Sequence, residues 1–304
     1  MSVIVVAGPT TAGKSSLAIE LALALDGEVV NADSMQLYRG MDIGTAKVTA
    51  AEMKGVPHHL LDVWPVTHPA AAAEYQVMAR AAVDDIAARG RVPILAGGSG
   101  LYVRAALEDL NFPITDAGTR SRLESSLAER GAASLHARLA ALDPVAAAAI
   151  LPGNGRRIVR ALEVIELTGQ PFSATMPSFS DTARPAVQLG LTLPRPVLDS
   201  RITARVDHMW ASGFEDEVRR LVRAGLPEGK TAGRALGYQQ MLRYLDGSCT
   251  LPEARDQTVR ATKRFARRQE SWFRRDPRIH WLDPGADLVS QAADRIRAAR
   301  SESR

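Results

Sequence analysis

The stretch VIVVAGPTTAGKSSLAIELALAL, Val3 to Leu25, decides the fold. Four apolar residues rich in β-branching come first, then the turn Gly8-Pro9-Thr10-Thr11-Ala12-Gly13-Lys14-Ser15, then a run of good helix formers. Branched side chains pack well on a pleated, buried strand, whereas Leu, Ala, Glu and Lys lose little rotamer freedom in a helix. The turn between them fits the pattern G-x-x-x-x-G-K-[ST]. Its glycines let successive backbone N–H groups face inward as an anion nest, and the following helix adds the positive end of its dipole. Lys14 supplies a mobile point charge, and the Ser15 hydroxyl is a ligand for Mg²⁺. At average composition the bare pattern arises roughly once per hundred chains of this length. Only five of the 38 basic residues are lysines, so a lysine at this one position carries added weight. The stretch predicts a strand, a polyphosphate-binding loop and a helix over Gly13–Leu25.

Working outward, the same rhythm continues. GEVVNADS (Gly27–Ser34) reads as a second strand, HHLLDVW (His58–Trp64) as a short third, and AAAAEYQVMARAAVDDIAARG (Ala70–Gly90) as an amphipathic helix ended by glycine. RVPILAGGSGLYVRAAL (Arg91–Leu107) repeats the opening pattern of strand, glycine turn and helix. Strands alternating with helices predict an α/β fold with a doubly wound parallel sheet. From Thr119 to about Thr168 the pattern is helical only, followed by the Pro/Ser-rich return GQPFSATMPSFSDTARP (Gly169–Pro185). VQLGLTLP (Val187–Pro194) then reads as a core strand, and RIHWLD (Arg278–Asp283) as a last one. The expected organisation is an α/β core over residues 1–115 and 186–304, with a helical insertion over 116–185.

Composition narrows the class. The chain has 304 residues, 46% of them hydrophobic, enough for a sizeable core. No apolar run reaches the roughly 18 residues that a membrane span requires. The opening MSVIVVAGPT lacks a basic n-region, and Cys249 is the single cysteine, so no disulfide framework is possible within the chain. A reduced, cytoplasmic setting and a monomer are the simplest expectations. The net charge of +4 is unevenly placed: Arg255 to Arg278 holds nine basic residues against three acidic ones, leaving the remainder net acidic. Such a segment points to a polyanion partner or to a solvated helix face. On a helix, Arg260, Arg264, Arg267, Ser271 and Arg274 share one face, and Thr258, Thr262, Phe265, Gln269 and Trp272 another. One side would pack on the core, and the other would meet phosphates with salt-sensitive affinity.

Within NADSMQLYRGMDIGTA, Asp33 falls at the C-terminal end of its strand, the edge on which open α/β sheets bind their ligands. Its type and place fit a general base, a magnesium ligand or the cap of the segment that follows. Asp62, after HHLL, is a poor match to the strand-end aspartate that a motor ATPase pairs with such a loop. A small-molecule kinase stays open at this point. His58 and His59, flanked by Leu60 and Leu61, read as strand-edge histidines before metal ligands.

Six motifs then follow in order: GPTTAGKS, NADSMQLYRGMDIGTAK, GVPHHLLDV, AGGSGLY, RRIVRALEVIELTG and RALGYQQM. Together they resemble the tRNA dimethylallyltransferase family over Val3 to roughly Asp283. The resemblance implies a P-loop NTPase-like fold whose loop holds the diphosphate of dimethylallyl diphosphate. It implies transfer of the dimethylallyl group to the exocyclic amine of the adenine 3′ of the anticodon. It also implies roles: Asp33 as proton acceptor, Gly8 to Ser15 as the diphosphate site, and Arg234 as an arginine reaching the diphosphate. Asp33, Ser34, Met35 and Gln36 would touch the anticodon loop. Ser99, where the family often has threonine, would contact substrate. Arg120, Arg156, Arg157 and Arg160 of the insertion, with Arg264 and Arg267 of the basic segment, would meet the tRNA. Gly153-Asn154 departs from the family's usual Asn-Asp. Two rivals remain: an isopentenyl transferase acting on free adenine nucleotides such as AMP, and an ATP-binding P-loop small-molecule kinase. The helical insertion and the basic segment favour an RNA acceptor over either.

Overall fold

The structure is a computed structural model that describes residues 2–175, 183–284 and 287–302. Much of the Pro/Ser-rich return lies outside the described residues. The described chain divides into two units, residues 1–109 with 182–304, and residues 110–181.

The first unit is built on a sheet of six strands, β1 (Val3–Ala7), β2 (Gly27–Asn31), β3 (His58–His59), β4 (Val92–Gly97), β5 (Ala186–Gly190) and β6 (Ile279–Trp281). Their order is β3-β2-β4-β1-β5-β6, and every pairing is parallel. β1 is central and buried along its whole length, which is why its sequence runs apolar without alternation. Ile4, Val6, Val29, Ile94 and Leu189 join Leu17 and Leu21 of α1 (Lys14–Leu25) in one cluster. Ile296 of α11 (Leu288–Glu302) completes that layer. α2 (Ala72–Ala88) packs on β2 and β4, beside α3 (Gly100–Leu107). Helices on both faces make the sheet doubly wound.

Four further helices follow β5: α7 (Arg195–Ala211), α8 (Phe214–Arg223), α9 (Tyr238–Leu245) and α10 (Leu251–Phe273). α10 starts with a capping box, in which the Thr250 hydroxyl accepts from the Glu253 N–H while Glu253 accepts from the Thr250 N–H. It packs against α7 and α9. Arg260, Arg264, Arg267, Ser271 and Arg274 are exposed on it, while Thr258 and Gln269 are buried.

The second unit is helical: α4 (Ala117–Leu142), kinked at Gly131, then α5 (Pro144–Ala149) and α6 (Gly155–Thr168). Leu123, Leu135, Leu139, Ile150, Ile158 and Leu162 form its core. Asn154, at the position where the sequence departs from the family pattern, caps α6 through its side-chain oxygen and the Arg157 N–H. Under the same helix lies a fully buried carboxylate, Glu163. It accepts from Arg120, Arg160 and the Asp116 N–H at 2.6, 2.8 and 3.1 Å. Burial pushes its carboxyl up, but the two guanidinium hydrogen bonds outweigh that and hold it below the usual carboxylate value.

Candidate active site

The C-terminal ends of β1, β2 and β4 bring three turns together. After β1 comes the glycine-bearing loop. Gly8 has φ 145°, and a Cβ there would meet the Leu191 carbonyl oxygen at 2.4 Å, so both conformation and space require glycine. Gly13 takes the left-handed conformation, φ 96°, and starts α1. Lys14 turns back across the loop and donates to the Pro9 carbonyl at 2.8 Å. Its ammonium falls from its ordinary value to about 8: burial lowers it most, Asp33 raises it, and Arg205 lowers it further. A lysine whose charged form is disfavoured in a loop of this shape is a cation short of an anion.

After β2, Asn31 sets the next turn. Its side-chain amide donates to the carbonyls of Asp33 and Leu60, both at 3.0 Å, and accepts from the Asp33 N–H at 2.9 Å. Asp33 in turn accepts from the Met35 N–H on Oδ1 at 3.0 Å. The Asp33 carboxylate thus caps a turn through one oxygen and keeps the other for a visitor; no α-helix begins there. Tyr75 supports the turn from beneath, donating to the Asn31 carbonyl at 2.9 Å and stacking on Tyr102. Ser34 is joined to the β4–α3 turn, its N–H donating to Ser99 Oγ at 3.3 Å.

Thr10, Lys14, Ser15, Asp33, Gln36 and Arg205 line a cavity of about 70 Å³, with Thr45, Ala46, Ala96 and Gly97 completing its wall. A larger cleft of about 740 Å³ shares Lys14, Ser15, Ala46 and Arg205 with it and runs out between α1, α7 and the segment after Asp42. Two cations, Lys14 and Arg205, and one carboxylate, Asp33, share the wall of the small cavity.

Arg205 is the residue that sequence reasoning missed. It reaches in from α7, donating to Thr10 Oγ1 at 3.0 Å and to the Thr45 carbonyl at 3.1 Å. Burial lowers its guanidinium from its ordinary value, against the pull of Asp33. Arg234, the arginine given this place by resemblance, is exposed in a short 3₁₀ turn, Ala232–Arg234, and lines neither cavity. The correction has a readable cause. On α7 the buried residues Leu198, Ile202, Val206 and Met209 define a stripe, and Arg205 lies three after Ile202 and four before Met209. A cation where the helical period calls for an apolar side chain is the signal.

The segment that supplies Thr45 is clamped from two sides. Glu217 of α8, 1% exposed, accepts from the N–H groups of Asp42, Ile43 and Gly44 at 3.1, 2.7 and 3.2 Å, and from the Tyr238 hydroxyl at 2.6 Å. Lys47 closes the far end on Asp42 and Asp62, each at 2.6 Å. Asp62 is therefore an anchor outside the cavity. Gln36 donates to the Thr45 carbonyl at 3.2 Å, so one peptide oxygen locates both Gln36 and Arg205. His59 pairs with the buried Glu28 at 2.6 Å, and His58 contacts the Val56 carbonyl at 2.9 Å.

The other expected residues fall elsewhere. Arg264 and Arg267 lie exposed on α10, Arg156 and Arg157 lie exposed on α6, and Arg120 and Arg160 are held by Glu163. Among the described residues no group of three or more His, Cys, Asp or Glu is placed to hold a metal ion.

Fold and site define a P-loop NTPase-like α/β protein whose glycine-bearing loop shares a cavity with a carboxylate on the same sheet edge. Comparison with known proteins narrows that class. The IPP transferase family profile matches residues 36–276. A tRNA dimethylallyltransferase from Salinispora arenicola is 66% identical over 299 residues, covering 98% of this chain and 87% of that one. The crystal structure of a tRNA isopentenylpyrophosphate transferase from Bacillus halodurans is 40% identical with a TM-score of 0.72, covering 99% of each chain. A eukaryotic dimethylallyltransferase caught acting on tRNA is 27% identical with a TM-score of 0.81, covering all of this chain and 80% of that one. The chain belongs to the IPP transferase family.

Proposed function

We propose that the chain transfers the dimethylallyl group of dimethylallyl diphosphate to the exocyclic amine of the adenine 3′ of the anticodon in tRNA, releasing diphosphate. The observation that carries this reading is the single cavity lined by Lys14, Arg205 and Asp33 together. The activities of the relatives and structural neighbours support it.

The allylic C–O bond breaks with its electron pair passing to the diphosphate oxygen, so negative charge grows on the leaving group. Lys14, Arg205 and the N–H groups of the Gly8–Ser15 loop stabilise that charge where it develops. The adenine amine attacks the allylic carbon, and its proton passes to Asp33. The lone oxygen of Asp33 left free by the Met35 N–H is the acceptor. A base inside a stacked loop cannot reach this carboxylate, so the adenine leaves its stack first. Ser34, Met35, Gln36 and Ser99, grouped beside Asp33, would touch it and its neighbours. Arg156, Arg157, Arg264 and Arg267 would meet phosphates, and Arg120 and Arg160 would do so from their Glu163 anchor.

Mg²⁺ fits this donor set in one way only. With Ser15 lining the cavity and no carboxylate cluster around it, the ion would take most ligands from diphosphate and water, as Mg²⁺ commonly does. When bound it neutralises charge on the leaving group. Asp62, tied to Lys47, is poorly placed for the role an ATPase would require of it. No helix among the described residues is long and apolar enough to cross a membrane. On this reading the chain works in the cytoplasm on its tRNA substrate, as a monomer.

Labelled dimethylallyl diphosphate offered with unmodified tRNA, AMP or ATP tests the reading. Label in tRNA alone is the expected result. Label in AMP but not tRNA establishes the free-nucleotide transferase, and a phosphorylated small molecule formed from ATP establishes a kinase.

A further inference from the structure

We propose that Gln269, on the basic helix α10, is a positioning residue that fixes the donor cradle, acting through Thr10 on Arg205. Gln269 is 5% exposed and far in sequence from the loop it touches. Its Oε1 accepts from the Thr10 N–H at 2.9 Å, and its Nε2 donates to the Gly98 carbonyl at 2.9 Å. One amide therefore ties the turn after β1 to the turn after β4. The fit is close: a Cβ on Gly98 would lie 2.2 Å from Gln269 Nε2, and one on Gly100 2.0 Å from Trp272 Nε1.

The Thr10 N–H and the Pro9 carbonyl belong to one peptide unit, and in a trans peptide they point in opposite directions. Gln269 takes the N–H, which turns the carbonyl toward Lys14, its partner at 2.8 Å. The same grip sets the Thr10 side chain, whose hydroxyl receives Arg205 at 3.0 Å. Without Gln269 that peptide is held only through its carbonyl, by Lys14 and a 3.4 Å bond from the Ala12 N–H, and both cations lose a firm reference. A hydrophobic residue of similar size fills the space but offers no acceptor to a buried N–H. Glutamine is the one residue type of this length that accepts on one atom and donates on the other without charge. α10 thereby carries the exposed arginines on one side and sets the phosphate loop with the other.

The proposal rests on the donor reading of the cavity, and inorganic pyrophosphate tests it independently of transfer. Pyrophosphate affinity, donor KM and kcat, tRNA affinity and melting temperature would be compared for wild type, Gln269→Ala, Arg205→Ala and the double variant. Gln269→Ala is expected to weaken pyrophosphate and donor kcat/KM about tenfold, the scale of one buried hydrogen bond, with tRNA affinity unchanged. In the Arg205→Ala background the same change is expected to cost less than about threefold, since the two act in one chain of contacts. Equal losses in both backgrounds overturn the proposal, as does a loss of active fraction with donor KM unmoved. Gln269→Glu provides a second reading. Its neutral acid can still accept from Thr10 and donate to Gly98, so activity relative to wild type should recover as pH falls; a flat ratio overturns the proposal. If wild type binds pyrophosphate but transfers nothing, the functional reading fails while the Gln269 cycle still stands or falls on pyrophosphate.

Discussion

The donor cradle and the helical insertion both rely on arginine and hold it in opposite ways. In the insertion, Arg120 and Arg160 converge on one carboxylate that is fully buried, so half of their combined charge is already answered. In the cradle, Arg205 gives its hydrogen bonds to a hydroxyl and a peptide carbonyl, both neutral, and Lys14 gives its own to another carbonyl. Burial lowers both of these cations. A cation with only neutral partners is poised for an incoming anion, whereas one tied to a buried glutamate is anchored first and offers a phosphate only its remaining donors. The partner, more than the residue type, separates free arginines from anchored ones.

The sharpest way to break this contrast is to remove Arg205. Arg205→Ala should lower donor kcat/KM by about 10²–10³-fold, the cost of one preorganised donor to a developing anion. Arg234→Ala should change it by less than about threefold. A reversed ranking, read in the same transfer assay, returns the diphosphate to Arg234.

In the insertion the expected loss is of stability. Arg160→Ala leaves Glu163 buried with one guanidinium fewer and should destabilise the chain by about 2–3 kcal/mol, measured by denaturant unfolding. Arg157→Ala, on the exposed side of the same helix, should alter stability by less than about 0.5 kcal/mol. Its effect should appear as tRNA binding weakened a few-fold. Equal stability in the two variants would erase the distinction between anchored and free arginines.

The smallest effect is in pH. Lys14 is lowered to about 8 by its surroundings, and a bound diphosphate favours its charged form. Donor affinity should therefore be nearly full at about pH 7 and below and drop roughly threefold between about pH 7.5 and 8.5, with proton uptake on binding. The sign for the free chain is opposite. Because the folded value lies below the unfolded one, charged Lys14 costs stability below about pH 8, and that cost fades as pH rises toward 10.5. Calorimetry in buffers of different ionisation enthalpy checks the first, and unfolding across the same range checks the second.

What could be read from sequence was local. The turn from Gly8 to Ser15 and the strand-end Asp33 announce themselves within a dozen residues, because loop geometry and sheet edge are encoded by neighbours. The alternation of strand and helix likewise gave the parallel sheet, though β3 is two residues long where seven looked strand-like. Arg205, Gln269 and Glu217 belong to helices that arrive from the far end of the chain, and each sits on an otherwise buried helix face. Their meaning depends on what they meet, which no local pattern states. The trace they leave is a polar side chain interrupting an apolar stripe. Arg234 was expected at the cradle from its adjacency to a motif, and it lines neither cavity.

The central claim is that one cavity both releases diphosphate and takes a proton from an RNA base. It is tested most directly by counting both products of one reaction, prenylated adenine in unmodified tRNA and free diphosphate, for wild type and Asp33→Asn. The account predicts equal amounts of the two from wild type. It predicts a loss of about 10²–10⁴-fold in both from Asp33→Asn with tRNA binding retained. Diphosphate released without prenylated RNA, or transfer undiminished in Asp33→Asn, would contradict it.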